Sequence, residues 1–133
     1  MQIGINNKLF NIRRKGMPRL PRKVSENGIY HVVVRGINKA DVFLDDEDYL
    51  KLLYIIKDVQ EKHSFKVFAY CIMTNHVHML IQVEDNLGEL MKKILCRYVY
   101  WYNKKYERVG HLFQNRYFSQ PVETESYFLA ALQ

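Results

Sequence analysis

The chain has 133 residues, 48% hydrophobic and 26% charged, with 20 Lys and Arg against 14 Asp and Glu and a formal net charge of +6. That length fits one domain able to bury its own core, and the composition excludes a disordered chain. No apolar run is long enough to span a bilayer, no basic-then-apolar leader opens the N-terminus, and Cys71 and Cys96 form neither a disulfide framework nor a Cys-x-x-Cys motif; a cytoplasmic protein is expected.

The positive charge is unevenly spread. Lys8, Arg13, Arg14, Lys15, Arg19, Arg22 and Lys23 all precede the first acid, Glu26, and Pro18 and Pro21 oppose a helix there, so residues 1–24 are predicted to be a basic arm before one domain over 25–133. Gly28 opens a β-branched strand, Ile29–Arg35. Gly36 and Asn38 mark a loop. Asp45 or Asp46 caps a helix from about Glu47 to Lys62, with Leu52, Ile55, Ile56 and Val59 at helical spacing. Phe65–Met73 reads as a second strand, Thr74-Asn75 as a break, and His76–Val83 as a third strand completing a hairpin.

Asp85 or Asn86 caps a long helix whose apolar face carries Leu87, Leu90, Met91, Ile94, Leu95, Tyr98 and Tyr102. Gly110 ends the connection that follows. His111–Val122 is predicted as a fourth, less regular extended stretch, and Thr124 and Glu125 start a last helix. The order of strands and helices predicts an α+β, ferredoxin-like sandwich, with helices on a mostly antiparallel sheet of four to five strands.

The pair His76 and His78 carries the clearest chemistry. Side chains alternate along a strand, so both imidazoles project to one face while Val77 projects to the other. Two imidazoles on one face can chelate one metal ion, or can simply bond nearby carbonyls at a strand's start. Two ligands are too few for a closed structural zinc site. They leave room for a third ligand and for substrate oxygens, and a metal there would polarise a phosphate. Asn75 is placed to orient one imidazole. The basic residues Lys92, Lys93, Arg97, Lys104, Lys105, Arg108 and Arg116 interleave with tyrosines and Trp101. Such a mixture suits phosphates and stacked bases, or else a packed helix with solvated charges.

Several of these segments, in order, resemble the single-tyrosine HUH transposases: Gly28-Ile29-Tyr30-His31-Val32-Val33-Val34-Arg35-Gly36, the helix entry Val42-Phe43-Leu44-Asp45-Asp46-Glu47-Asp48, Met73-Thr74-Asn75-His76-Val77-His78-Met79-Leu80, and Gly110-His111-Leu112-Phe113-Gln114-Asn115-Arg116-Tyr117-Phe118. The match is to the insertion-sequence-200-like group and its REP-associated tyrosine transposase relatives, over about residues 17–133.

The resemblance implies an enzyme that cuts and rejoins single-stranded DNA near hairpins through a 5′-phosphotyrosine. It implies Mg or Mn held by His76 and His78. By position, Arg35, Asn38, Arg97 and Arg116 are candidates for phosphate contact, or else solvated surface groups. The resemblance also implies that the nucleophilic tyrosine falls just after Gln133, with a polar third metal ligand one turn later. The last helix carries no stop signal, so the chain is expected to end inside it. Tyr127 lies two turns too early for the nucleophile, and His31 either approaches the site or, as the safer reading, is an in-sheet structural histidine. A homodimer is possible. The competing readings are a non-enzymatic nucleic-acid-binding module, whose aromatic platforms need no metal, and a domesticated relative acting on genomic repeats.

Overall fold

The computed structural model describes residues 22–132, so most of the predicted basic arm and Gln133 lie outside the described residues. The elements run β1 (Ile29–Arg35), a single 3-10 turn (Ile37–Lys39), α1 (Asp46–Lys62), β2 (Phe65–Met73), β3 (His76–Val83), α2 (Leu87–Lys105), β4 (Phe118–Pro121) and α3 (Glu125–Leu132). The strands form one antiparallel sheet in the order β2-β3-β1-β4. This is an open four-stranded α+β arrangement of the expected ferredoxin-like kind, with β1 and β3 central.

Strand alternation divides the sheet into two faces. Tyr30, Val32 and Val34 of β1 and Val77, Met79 and Ile81 of β3 are buried on one face. Against them pack Leu52, Ile55 and Ile56 of α1 and Leu90, Met91 and Ile94 of α2, in one continuous core. The other face carries His31, Arg35, His76 and His78, all only half-buried.

Both long helices start at the side-chain caps their sequences offer. Asp45 accepts from the Asp48 backbone N–H at 3.1 Å, and Asp48 accepts from the Asp45 N–H at 3.3 Å, which makes a reciprocal capping box. Asn86 caps α2 by accepting from the Glu89 N–H at 3.1 Å. Tyr98 is fully buried and donates to the Val42 carbonyl at 2.5 Å. Tyr102 and Tyr106 donate inward as well, to Asp41 and Asp48. These tyrosines are therefore packed into the fold rather than displayed to a partner.

The predicted fourth extended stretch is shorter than its sequence suggested. Only Phe118–Pro121 pairs as a strand. Upstream, Leu112 and Phe113 turn inward and are buried. The Ile37 N–H donates to Leu112 O at 2.9 Å and the Gln114 N–H to Arg35 O at 2.9 Å, so this segment clamps the end of β1 instead of extending the sheet. Arg22, the first described residue of the predicted arm, lies along β4. Its guanidinium donates to Tyr117 O at 2.6 Å and sits 3.7 Å over the Tyr117 ring.

The loop between β1 and α1 folds tightly over the β2–β3 turn. The Gly36 N–H donates to Asn75 O at 2.8 Å, and the Val42 and Phe43 N–H groups both donate to Thr74 O. A Cβ at Gly36 would stand 2.1 Å from Ala40 O and 3.0 Å from a Val42 methyl. Gly36→Ala should therefore destabilise by about 1–3 kcal/mol, the usual cost of overpacking. The expected readout is a lower urea midpoint at unchanged m-value; an unchanged midpoint would mean that the loop yields freely.

Candidate metal centre

The hairpin turn and the strand register together build the site. In the β1–β3 ladder Arg35 stands opposite His76 and Val33 opposite His78. Directly paired residues share a face, so the two histidines project together beside Arg35, away from buried Val77 and Met79. Their ring centroids are 5.0 Å apart with planes at 74°. Because the Thr74-Asn75 turn is pinned by three backbone bonds from the β1–α1 loop, His76 sits on a rigid base.

Hydrogen bonding sets the His76 tautomer. Asn75 Oδ1 is 2.7 Å from His76 Nδ1, while Asn75 Nδ2 donates to the Lys39 carbonyl at 3.5 Å. With the amide turned that way, Nδ1 carries the proton and Nε2 keeps a free lone pair. His78 Nδ1 is 3.3 Å from His31 Nε2 on β1, and His31 Nδ1 is in turn 3.4 Å from the Tyr127 hydroxyl on α3.

All three imidazoles are held below their ordinary pKa. Burial lowers His31. Burial and then the Arg35 charge lower His76. Burial lowers His78 further, reinforced by His76, His31 and Arg35. Neutral rings at pH 7 are the form that ligates a metal. Two such nitrogens fit a divalent ion as part of its ligand set.

Among the described residues, the one grouping of three acidic, thiol or imidazole donors lies elsewhere, at Asp45, Glu47 and Asp48. The Lys105 ammonium already sits between these carboxylates, at 2.9, 2.7 and 2.9 Å. One ammonium thus bridges all three carboxylates, and the cluster belongs to the α1 cap.

The other residues expected at the site fall in different places. Arg35 lies beside His76. Asn38 is exposed in the 3-10 turn just beyond β1, in a left-handed conformation with φ of 53° that asparagine tolerates well. Arg116 is half-buried in the bend between Gln114, which bonds Arg35, and Phe118, which pairs with Val33. It therefore belongs to the same end of the sheet. Arg97 is not brought there. It bonds Asp58 of α1 at 2.6 Å in the helical layer, across the sheet from the histidines.

Two further residues join the site: His31, which from sequence either approaches it or serves as an in-sheet structural histidine, and Tyr127, expected only as a core-like residue. His31 is an edge-to-edge neighbour of His78, and Tyr127 reaches His31. Strand period alone puts His31 on the Arg35 face, but its contact with His78 depends on the β1–β3 register, which no local pattern reveals. Helix α3 lies over this face. Ala131 and Leu132 join His31, Cys71, His78 and Leu80 around a cleft of about 240 Å³. No α3 residue is fully buried, so the helix rests on few contacts.

Comparison with known proteins bears on this geometry. No curated protein matches the chain. Among solved structures, a REP-associated tyrosine transposase bound to a REP hairpin superposes with a TM-score of 0.71 at 15% identity, covering 87% of this chain and 68% of that one. A provisionally assigned transposase from Deinococcus radiodurans R1 gives a TM-score of 0.60 at 16% identity, covering 85% of this chain and 92% of that one. At such identities the likeness is one of fold. The family described as "Transposase IS200 like" matches residues 24–130. That span takes in the sheet, the histidine pair and most of α3, and the chain belongs to the IS200-like transposase family.

Proposed function

We propose that this chain is the metal-binding and DNA-binding body of a transposase that cleaves and rejoins single-stranded DNA near hairpins through a 5′-phosphotyrosine. The observation that carries the reading is the pairing of two neutral imidazoles, each with Nδ1 engaged, on an open sheet face next to Arg35. The family membership and the hairpin held by a protein of the same fold support it.

His76 and His78 would hold a divalent ion, Mg or Mn, through Nε2, with Asn75 orienting the first ring. When bound, such an ion supplies charge neutralisation and polarisation of a DNA phosphate. Arg35 and Asn38, with Arg116 at the same end of the sheet, hold the phosphate backbone across this face. The nucleophile is assigned to a tyrosine after Gln133. Helix α3 turns Tyr127 and Ala131 toward the sheet, and a residue one turn beyond Ala131 continues that stripe. Its hydroxyl oxygen attacks the scissile phosphorus, the P–O3′ bond breaks, and the 3′-oxygen leaves as a hydroxyl once protonated. Rejoining is the reverse displacement, so the phosphodiester energy is conserved in the protein–DNA bond. No described helix is long and apolar enough to cross a membrane, and the unbonded Cys71 and Cys96 suit a reducing cytoplasm.

Tyr127 lies two turns before the position assigned to the nucleophile, and burial raises its pKa, which disfavours its phenolate form. The test incubates a hairpin-bearing single-stranded oligonucleotide and Mn²⁺ with this chain and with one continued through the whole last helix. The longer protein should give a covalent adduct that survives denaturing electrophoresis, and the 133-residue chain none. An adduct on the shorter chain that Tyr127→Phe abolishes would move the nucleophile to Tyr127. Hairpin binding by both without an adduct would favour the non-enzymatic binding module.

A further inference from the structure

We propose that His31, itself bonded to Tyr127, is the partner that accepts the His78 Nδ1 proton and so lets His78 present its Nε2 lone pair to the metal. This rests on the reading of His76 and His78 as metal ligands. His31 is then a positioning residue, acting on the metal only through His78.

The geometry of the ring pair is that of a hydrogen bond. The His31 and His78 planes are 25° apart and their centroids 5.5 Å apart, too far for face-to-face stacking. Nearly parallel rings at that separation, with Nε2 3.3 Å from Nδ1, are joined edge to edge along the N···N line. One proton lies between the two nitrogens, and its owner decides what His78 can do.

Two arrangements satisfy the chain. In the first, His78 Nδ1–H donates to His31 Nε2, His31 Nδ1–H donates to the Tyr127 oxygen, and His78 Nε2 is free for a metal. In the second every donor reverses. The Tyr127 hydroxyl donates to His31 Nδ1, His31 Nε2–H donates to His78 Nδ1, and His78 carries its proton on Nε2, where it blocks ligation. Coordination at His78 Nε2 selects the first arrangement and makes Tyr127 an acceptor.

His76 has no such freedom. With Asn75 Oδ1 as its partner, His76 Nδ1 donates, and His76 stands in the ligating tautomer. The site thus pairs one preset ligand with one settable ligand, and the settable one is wired to α3. Since no α3 residue is fully buried, the Tyr127–His31 bond is one of few contacts seating that helix. That bond holds in both arrangements, and metal occupancy sets only which of its two partners donates.

The test uses Mn²⁺ titration by calorimetry, together with ¹⁵N imidazole NMR of the metal-free chain, for wild type, His31→Phe, His31→Gln and Tyr127→Phe. Phenylalanine keeps the ring and removes the nitrogens; glutamine returns an acceptor oxygen near the position of Nε2. His31→Phe should weaken Mn²⁺ binding by roughly 10–100-fold and shift His78 toward the Nε2–H tautomer. His31→Gln should restore most of both, and Tyr127→Phe should shift the same signals less. Wild-type affinity and an unchanged His78 tautomer in His31→Phe would overturn the proposal. So would equal weakening by Phe and Gln with the tautomer unmoved, since that marks a purely structural role. Failure of the metal reading is separable: wild type and His76→Ala would then show the same Mn²⁺ response, while the NMR still reports whether His31 sets the His78 proton.

Discussion

Mn²⁺ binding to the chain should fall below detection in His76→Ala and in His78→Ala, a loss beyond the roughly 10–100-fold that follows removal of an outer hydrogen-bond partner. Each histidine supplies one of the two ligand nitrogens assigned on this face, so losing either leaves only one assigned imidazole ligand, which does not chelate. The fold should survive. Both rings are half-buried on the open face, whereas the core is closed beneath them by Val77 and Met79. Thermal melts of the variants should stay within a few degrees of wild type, and Asn75→Ala should weaken binding less than either histidine change. Calorimetry that cannot distinguish His76→Ala from wild type would remove the metal from this face and favour a stacking platform for nucleic acid.

Much of this arrangement is legible in local pattern. The alternation of Val77 between His76 and His78 predicts a shared face, and the β1–β3 register puts both rings on the side opposite the core. The capping residues Asp45 and Asn86 set the helix starts, with α1 beginning at Asp46 against the predicted Glu47. What local pattern misses depends on partners distant in sequence. His31 meets His78 only because β1 pairs with β3, and Lys105 meets Asp45 and Asp48 only because α2 packs beside α1. Arg97 reads as a free cation on a basic helix until Asp58 is brought next to it. Charge patterning along one element says little about which charges are already paired across two.

The same distinction explains how a chain with excess positive charge keeps its acids. The Asp45–Asp48 segment looks like a cation site, yet its function is to join α1 to the end of α2. Asp48 is fully buried and accepts from the Leu44 N–H at 2.8 Å, the Tyr106 hydroxyl at 2.6 Å and the Lys105 ammonium at 2.9 Å. The loop that Leu44 ends also carries Val42 and Phe43, whose N–H groups clasp the Thr74 carbonyl beneath the histidine pair. A structural carboxylate in the helical layer thereby supports the opposite face of the sheet.

Asp48→Asn should accordingly be among the most damaging single substitutions, at about 3 kcal/mol or more, the scale of breaking a buried charged pair from one side. An amide is nearly the same shape, but only one of its ends accepts. If its oxygen serves Leu44 and Tyr106, its N–H groups face the Lys105 ammonium, and the reverse orientation sets N–H against N–H. The melting temperature should drop on the order of 10 °C. The pH dependence has a defined sign. Burial alone would raise the Asp48 pKa, but the bonds from Tyr106, Lys105 and the Leu44 N–H override it and hold the carboxyl below its ordinary value. A group depressed in the folded state contributes its full stability above its unfolded pKa, about 3.9, and loses it as pH falls through the lower folded value. Wild type should therefore lose stability across that acid window, while Asp48→Asn, lacking the titrating group, shows a shallower slope there and a nearly constant deficit above pH 5. Parallel acid slopes for the two proteins would show that Asp48 is not held charged by its partners.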